Sequence, residues 1–431
     1  MPAPDNRFST LPGVGIVPGE PGGRRLSVAE LADYLIDVGA TLSAYGNPTH
    51  RTENVVRLIA ELEGCTCDVF AVPTGLWLSV RGPRADEPPT MRMMRVKEWG
   101  VNLDKLAAVD RIFNDVIDRK LTFAEARAAI DVVEARKPAW PAPLRWVAHM
   151  AAAGAAAVFF RGGFRECAIA ALGGLLLMVI FRLLRQRSGG ELLADFVGGV
   201  TAASLAWAAT ALQPSLSREV LVLSVIILLV PGMVLTTGLA ELTNKNLMSG
   251  AGKLMEAMII FLSLLFGIAC VIALEQVVRV GHPGAGAPRV MPSFWLQVVA
   301  LTVSAFAFAV IFYVPRAYLL PAMVSGAIGW IVTGQATRYL PGSLAAFAAA
   351  ASVTLWANGC ARYTQRPAQV FLLPGLVLLV PGSFGFLSLE AFLRGEFLGG
   401  AAKGFEMFLI AGAIVTGLLL ANVILPAKKI L

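Results

Sequence analysis

Four carboxylates stand in or beside otherwise apolar stretches of this chain: Asp195, Glu241, Glu256 and Glu406. A carboxyl partly buried among apolar side chains takes up a proton more readily, as a proton carrier must. Lys253 and Glu256 stand three residues apart, and so do Lys403 and Glu406. That spacing gives each pair one helix face, so each could also neutralise itself at the end of a span. Close to these groups the sequence Leu-Leu-Val-Pro-Gly occurs twice, at 228–232 and 378–382. A proline inside an apolar helix removes a donor and clashes with the preceding turn, so Pro231-Gly232 and Pro381-Gly382 are expected to break their helices. In lipid, freed backbone groups persist only where protein or a water-filled cavity satisfies them. Exposed N–H ends suit a carboxylate and free carbonyls suit an ammonium, which together make a zwitterion. Thr236, Thr237, Ser383 and Ser388 could bond a solute hydroxyl, or simply their own helix backbone. The chemistry indicated is reversible binding of a small polar solute, coupled to protons.

Other chemistries fit poorly. Gly252-Lys253-Leu254 resembles the end of a phosphate loop but lacks the upstream Gly and the Ser/Thr. Gly382-Ser383-Phe384-Gly385 has the wrong spacing for a nucleophile elbow. His50, His149 and His282 are too scattered for a zinc site, and none of the five cysteines forms a C-x-x-C. Cys65 and Cys67 share one face of an expected strand and read as small apolar fillers. No metal, cofactor or enzymatic activity is expected.

The elements that must position these groups are membrane helices. The 431 residues are 56% hydrophobic and 15% charged, a polytopic membrane composition. Residues 1–143 hold 17 Lys/Arg and 19 Asp/Glu, whereas 144–431 hold 19 and 10. The net +7 therefore reads as cationic loops beside anionic headgroups, with no nucleic-acid face. Beyond residue 143 ten spans are expected: 144–160, 164–184, 192–212, 220–240, 254–277, 291–314, 317–335, 340–357, 368–389 and 400–425. The repeat extends past the Pro-Gly motif. Pro231 and Pro381, Lys253 and Lys403, Glu256 and Glu406, and Gly267 and Gly417 are all 150 apart, while Phe196 and Phe347 are 151 apart. An offset shared by scarce charged residues points to an internal duplication. Five spans per copy make the second copy enter from the opposite side, an inverted five-plus-five repeat over 144–277 and 291–431, joined by a loop at 278–290.

Ahead of the membrane part, residues 1–25 read as a disordered tail with no signal peptide, so the N-terminus is expected to stay in the cytoplasm. Residues 26–137 read as a compact cytoplasmic α+β domain. Ser27 caps a helix facing inward with Leu31, Leu35, Val38 and Leu42; Thr49 is expected to cap the next, with Val55, Val56, Ile59 and Leu62 inward. Strands are expected at Cys67–Pro73, Leu76–Arg81 and Met91–Trp99, then helices at Leu103–Arg119 and Thr122–Arg136, the last with a capping box from Thr122 to Glu125. The segment 138–143, Pro-Ala-Trp-Pro-Ala-Pro, reads as a stiff linker. Basic residues give the expected cytoplasmic side nine charges against seven, with Lys428-Lys429 placing the C-terminus there too.

In order along the chain stand Gly46, Arg51 with Glu53, Pro73-Thr74, Arg95-Val96 before Val-Asn-Leu-Asp-Lys-Leu at 101–106, Pro231-Gly232, Glu241, Gly252-Lys253-Leu254 and Pro381-Gly382-Ser383. This series resembles the bacterial threonine/serine exporter family from about residue 27 onward. Glu241 departs from the Asp expected at its position. The resemblance implies a proton-driven secondary exporter of small hydroxy amino acids in the bacterial inner membrane, working by alternating access. Some relatives are linked to dicarboxylate export, which stands as the alternative, with a channel-like permease behind it. The implied partners are a threonine- or serine-like solute, protons, lipid and a possible second copy of the chain.

Overall fold

A computed structural model describes residues 27–84, 87–96, 100–184, 186, 193–278 and 292–427. The expectations for the tail, for Lys428-Lys429 and for all but the first residue of the 278–290 loop lie outside these residues.

The N-terminal part begins with α1 (Val28–Ala44) and α2 (Thr49–Leu62). Ser27 and Glu30 form a reciprocal capping box at the start of α1, which satisfies two of the N–H groups a helix end leaves free. Leu31, Leu35, Val38 and Leu42 are buried, as are Val55, Val56 and Ile59 of α2, while Leu62 is half-buried. Thr49 does not cap α2. Pro48 holds the N-cap position with no side-chain bond to offer, so the helix's first N–H must be met from elsewhere.

Three strands follow, β1 (Thr66–Val72), β2 (Gly75–Arg81) and β3 (Thr90–Arg95), as an antiparallel meander. The first hairpin turns at Pro73-Thr74, with Val72 opposite Gly75. Strand alternation sends Cys67 and Ala71, and Leu76, Leu78 and Val80, into the core beneath α1 and α2. β3 ends before the expected Trp99, and residues 97–99 lie outside the described part. α3 (Leu103–Ile117) and α4 (Phe123–Ala135) complete this part, the latter with the Thr122–Glu125 capping box.

The segment before the bundle is docked. Trp140 is buried, its Nε1–H donates to Val314 O at 2.9 Å, and the Arg316 guanidinium lies 5.2 Å from its ring centre. Indole burial with a satisfied N–H fixes the segment in place, so it does not act as a free spacer.

The bundle comprises α5 (Ala142–Phe159), α6 (Phe164–Leu184), α7 (Ala194–Leu212), α8 (Arg218–Ile226), α9 (Gly232–Thr243) and α10 (Leu247–Val278). Then come α11 (Phe294–Ile311), a 3-10 turn at Arg316–Tyr318, α12 (Leu319–Ala336), α13 (Gly342–Thr364), α14 (Gln369–Leu376), α15 (Gly382–Leu393) and α16 (Phe397–Ile424). Among the described residues seven of these helices are long and apolar enough to cross a membrane. They are apolar on all sides, with Met258, Leu262, Phe266, Phe405 and Leu409 facing outward, as lipid contact requires. The segments expected as the single spans 220–240 and 368–389 are each two short helices, α8 with α9 and α14 with α15.

Residues 150 or 151 apart make the same close approach twice. A Cβ on Gly267 would lie 2.2 Å from Phe196 O, and one on Gly417 2.6 Å from Phe347 O. A Cβ on Gly250 would lie 2.8 Å from Gly238 O, and one on Gly400 2.9 Å from Ser388 O. Missing side chains let α10 close on α7 and α9, and α16 close on α13 and α15.

Candidate functional site

The two Pro-Gly motifs break their helices in the same way. Pro231 has φ −80° and ψ 38°, Pro381 φ −81° and ψ 35°, and each is the uncapped N-cap of the helix that follows. The breaks also meet. A Cβ on Gly232 would lie 2.3 Å from Val380 Cγ1 and 3.2 Å from Gly382 Cα; one on Gly382 would lie 2.5 Å from Val230 Cγ1. Val230 and Val380 pack against the facing glycines, so the two Pro-Gly pairs touch with no space between them. The two breaks differ in one respect. Val230 N–H donates to Ile226 O and Gly232 N–H to Val230 O, at 3.0 and 2.8 Å. Among the described residues the corresponding amides of Val380 and Gly382 make no such backbone bond.

The open space lies against this less satisfied second break. A cavity of about 420 Å³ is walled by residues 377–381 together with Ser383 and Phe384. Ile227 joins it from the first break, Ser304 and Phe308 from α11, Trp330 and Thr333 from α12, and Glu406 from α16. The Thr333 hydroxyl is buried without a hydrogen-bond partner, a costly state unless something polar occupies the cavity. Among the described residues no Lys or Arg lines the space. Its carboxylate suits an ammonium, its hydroxyls another hydroxyl, and the free N–H groups at the start of α15 an acid group. Phe159 and Thr337 border it, at the ends of α5 and α12 remote from the N-terminal part.

The other expected residues fall elsewhere. Thr236 donates to Gly232 O at 3.0 Å and Thr237 to Met233 O at 2.8 Å, so both hydroxyl protons serve the helix backbone; Ser388 donates to Gly400 O at 2.7 Å. Glu256 is half-buried within electrostatic reach of Lys253 and Asp195. Glu241 lies nine residues past the first break, about 14 Å along α9. It is 2% exposed and has polar partners on all sides. Thr49 N–H donates to it at 2.9 Å, Asn246 Nδ2 and Lys253 Nζ each at 3.2 Å, and His50 Nδ1 stands 3.8 Å away. Glu241 thus supplies from the bundle the cap that Pro48 cannot give α2. Its environment is a polar junction, contrary to the apolar surroundings expected, and Lys253 reaches Glu241 at 3.2 Å. The Thr49 and Ser249 hydroxyls, 2.8 Å apart, extend the junction.

Sequence reasoning missed Thr333, Trp330 and Ser304. The available signal was weak: a hydroxyl three residues after a tryptophan in an apolar helix, significant only once α12 is known to flank α14, the helix that leads into the second break.

A family model described as "Putative threonine/serine exporter" matches residues 33–275, more than half of the chain. The chain belongs to the threonine/serine exporter family. A second model, "Threonine/Serine exporter, ThrE", matches residues 297–424. A "Probable threonine/serine exporter" of Mycobacterium tuberculosis is 24% identical over 92% of this chain and 77% of its own length. An uncharacterized protein of Schizosaccharomyces pombe is 25% identical over 55% of this chain and 32% of its own. "Pheromone-regulated membrane protein 10" of Kluyveromyces lactis is 25% identical over 54% and 25%. The chain therefore spans a third or less of these fungal relatives. No solved structure matches. In this family member Glu241 and Lys253, both within the resembling motifs, meet at the junction, and other motif residues shape the helices beside it. Gly46 makes the α1–α2 turn with φ +89°, a conformation that suits glycine. Glu53 accepts from Ala71 N–H at 3.0 Å, tying α2 to the sheet.

Proposed function

We propose that this chain exports threonine- or serine-like amino acids by binding them in the cavity beside the second helix break. The observation that carries this reading is the cavity's polar set: the unpartnered Thr333 hydroxyl, Ser383, and Glu406, with no Lys or Arg among the described lining residues. In this reading Glu406 meets the ammonium, the first N–H groups of α15 meet the carboxylate, and Thr333 or Ser383 bonds the side-chain hydroxyl. The lack of a cation among the described lining residues disfavours a dicarboxylate. Pro381 and Gly382 shape the wall, and Pro231, Gly232, Thr236 and Thr237 form the matching half behind it. Protonation of Glu406 couples export to protons, with Asp195, Glu256 and Glu241 as the remaining carriers to test.

The architecture in this proposal is an inverted repeat of five segments each, 144–277 and 291–431, ten crossings in all, which the twin glycine contacts support. Residues 26–137 form a cytoplasmic domain, both termini face the cytoplasm, and the bacterial inner membrane is the location. The cavity then opens outward, while the Glu241 junction closes the cytoplasmic side.

Counterflow of labelled threonine and serine in proteoliposomes tests the activity. Saturable exchange that a small dicarboxylate does not compete supports the reading. Flux without saturation or response to a pH gradient would indicate a channel and refute it.

A further inference from the structure

A second cavity, of about 760 Å³, lies at the other end of the bundle and uses none of the residues assigned to transport. Arg145 and His149 of α5, Arg182 at the end of α6, Gln186 and Tyr313 supply its polar groups. Trp146, Met178 and Phe181 supply an apolar wall. Among the described residues no Asp or Glu lines it. Arg145 Nη1 donates to the Tyr313 hydroxyl at 2.7 Å, and the guanidinium lies 5.6 Å from that ring's centre. The Nε–H of Arg145 is buried without an acceptor. Among the described residues neither Arg145 nor Arg182 forms an ion pair, whereas Arg218 pairs with Glu275 and Lys253 with Glu241.

A half-buried guanidinium with one neutral acceptor leaves most of its five donors and all of its charge unmatched. The missing complement is an anion with several acceptor oxygens, which the planar fork of an arginine holds in pairs. The location adds to this. Arg145 begins the first helix after the docked Trp140 segment, and Arg182 ends the next, so the cavity sits at headgroup depth with apolar side chains running inward from it.

We propose that this cavity binds a phosphate-ester anion, with its oxygens on Arg145 and Arg182 and its apolar portion on Trp146, Met178 and Phe181. An anionic phospholipid and a soluble organic phosphate share this chemistry, and the test separates them.

The full chain in detergent is melted while titrated with short-chain phosphatidylglycerol, with short-chain phosphatidylcholine as control, and separately with glycerol phosphate. Baseline melting of each variant is measured first. Saturable stabilisation by phosphatidylglycerol beyond that by phosphatidylcholine, weakened about tenfold in apparent affinity by Arg145→Gln and by Arg182→Gln, is expected. Equal stabilisation by glycerol phosphate, with the same dependence on both arginines, upholds the site and assigns it to a soluble phosphate. Arg182 is exposed at a helix end, so Arg182→Gln decides the matter if Arg145→Gln does not fold. No saturable shift with either phosphate, or shifts unaltered by Arg182→Gln, overturns the proposal.

Discussion

At the scale of single residues, the transport reading rests most heavily on Thr333. Its buried hydroxyl has no protein partner, so a solute that bonds it supplies a hydrogen bond the protein does not. Thr333→Val keeps the shape and removes the hydroxyl; it should raise the KM for threonine in counterflow about tenfold with little change in maximal rate. An unchanged KM would remove Thr333 from the site. Glu53 gives a second residue-scale prediction. Burial pushes its carboxyl above the ordinary carboxylate value, against the opposing pull of the Ala71 N–H bond. A carboxyl with a raised folded-state pKa favours folding while protonated, and that contribution is lost as pH rises through the raised value. Melting of the N-terminal part should therefore gain less from a rise in pH above the ordinary Glu range than it does in Glu53→Gln, which cannot titrate. Parallel pH profiles for the two proteins would contradict this. The sequence made some of these residues legible and hid others. Pro381, Gly382 and Ser383 were visible because proline and glycine carry backbone meaning by themselves. Thr333 was not, because an orphan hydroxyl is a property of its surroundings. Glu241 was visible as a charge but misjudged in setting, since its partner Thr49 lies 192 residues away.

At the scale of elements, periodicity and capping signals carried far. The cap at Ser27, the capping box at Thr122 and, Leu62 apart, the inward faces of α1 and α2 stand as the sequence indicates. The Pro-Gly motifs marked where the spans 220–240 and 368–389 break; what no local signal could reveal is that the two breaks touch. The touching point is testable. Gly232→Ala drives a methyl into Val380, with Gly382 Cα behind it. Such overpacking costs about 1–3 kcal/mol, read as a lower melting temperature in detergent. Val380→Ala in the same chain should recover part of the loss, because it vacates the nearest clash. If the double variant melts below both singles, the contact is misassigned.

At the scale of the whole molecule, the N-terminal part and the bundle share one continuous core, in which Phe371, Val370 and Val314 pack with residues of α1 to α4. The bond of Leu103 N–H to Phe312 O, at 3.0 Å, adds a backbone link. If the Glu241 junction must open during transport, locking it should stop turnover. Thr49→Cys with Ser249→Cys, with the five native cysteines replaced, puts two thiols where hydroxyls now stand 2.8 Å apart. Oxidation should abolish counterflow and reductant should restore it. Undiminished exchange in the fully cross-linked protein would show that the junction is static. The contact of Gly232 with Gly382 then has a mechanical meaning. α9 and α15 are each 12 residues long and both start at that point, giving two arms of about 18 Å from a common origin. Backbone resting on backbone forms a fulcrum, and arms of equal length move their tips by equal amounts for any tilt about it. One arm ends beside Glu241 at the junction with the N-terminal part. Leverage of this kind would let a small change at one mouth of the molecule be matched, without amplification or loss, at the other.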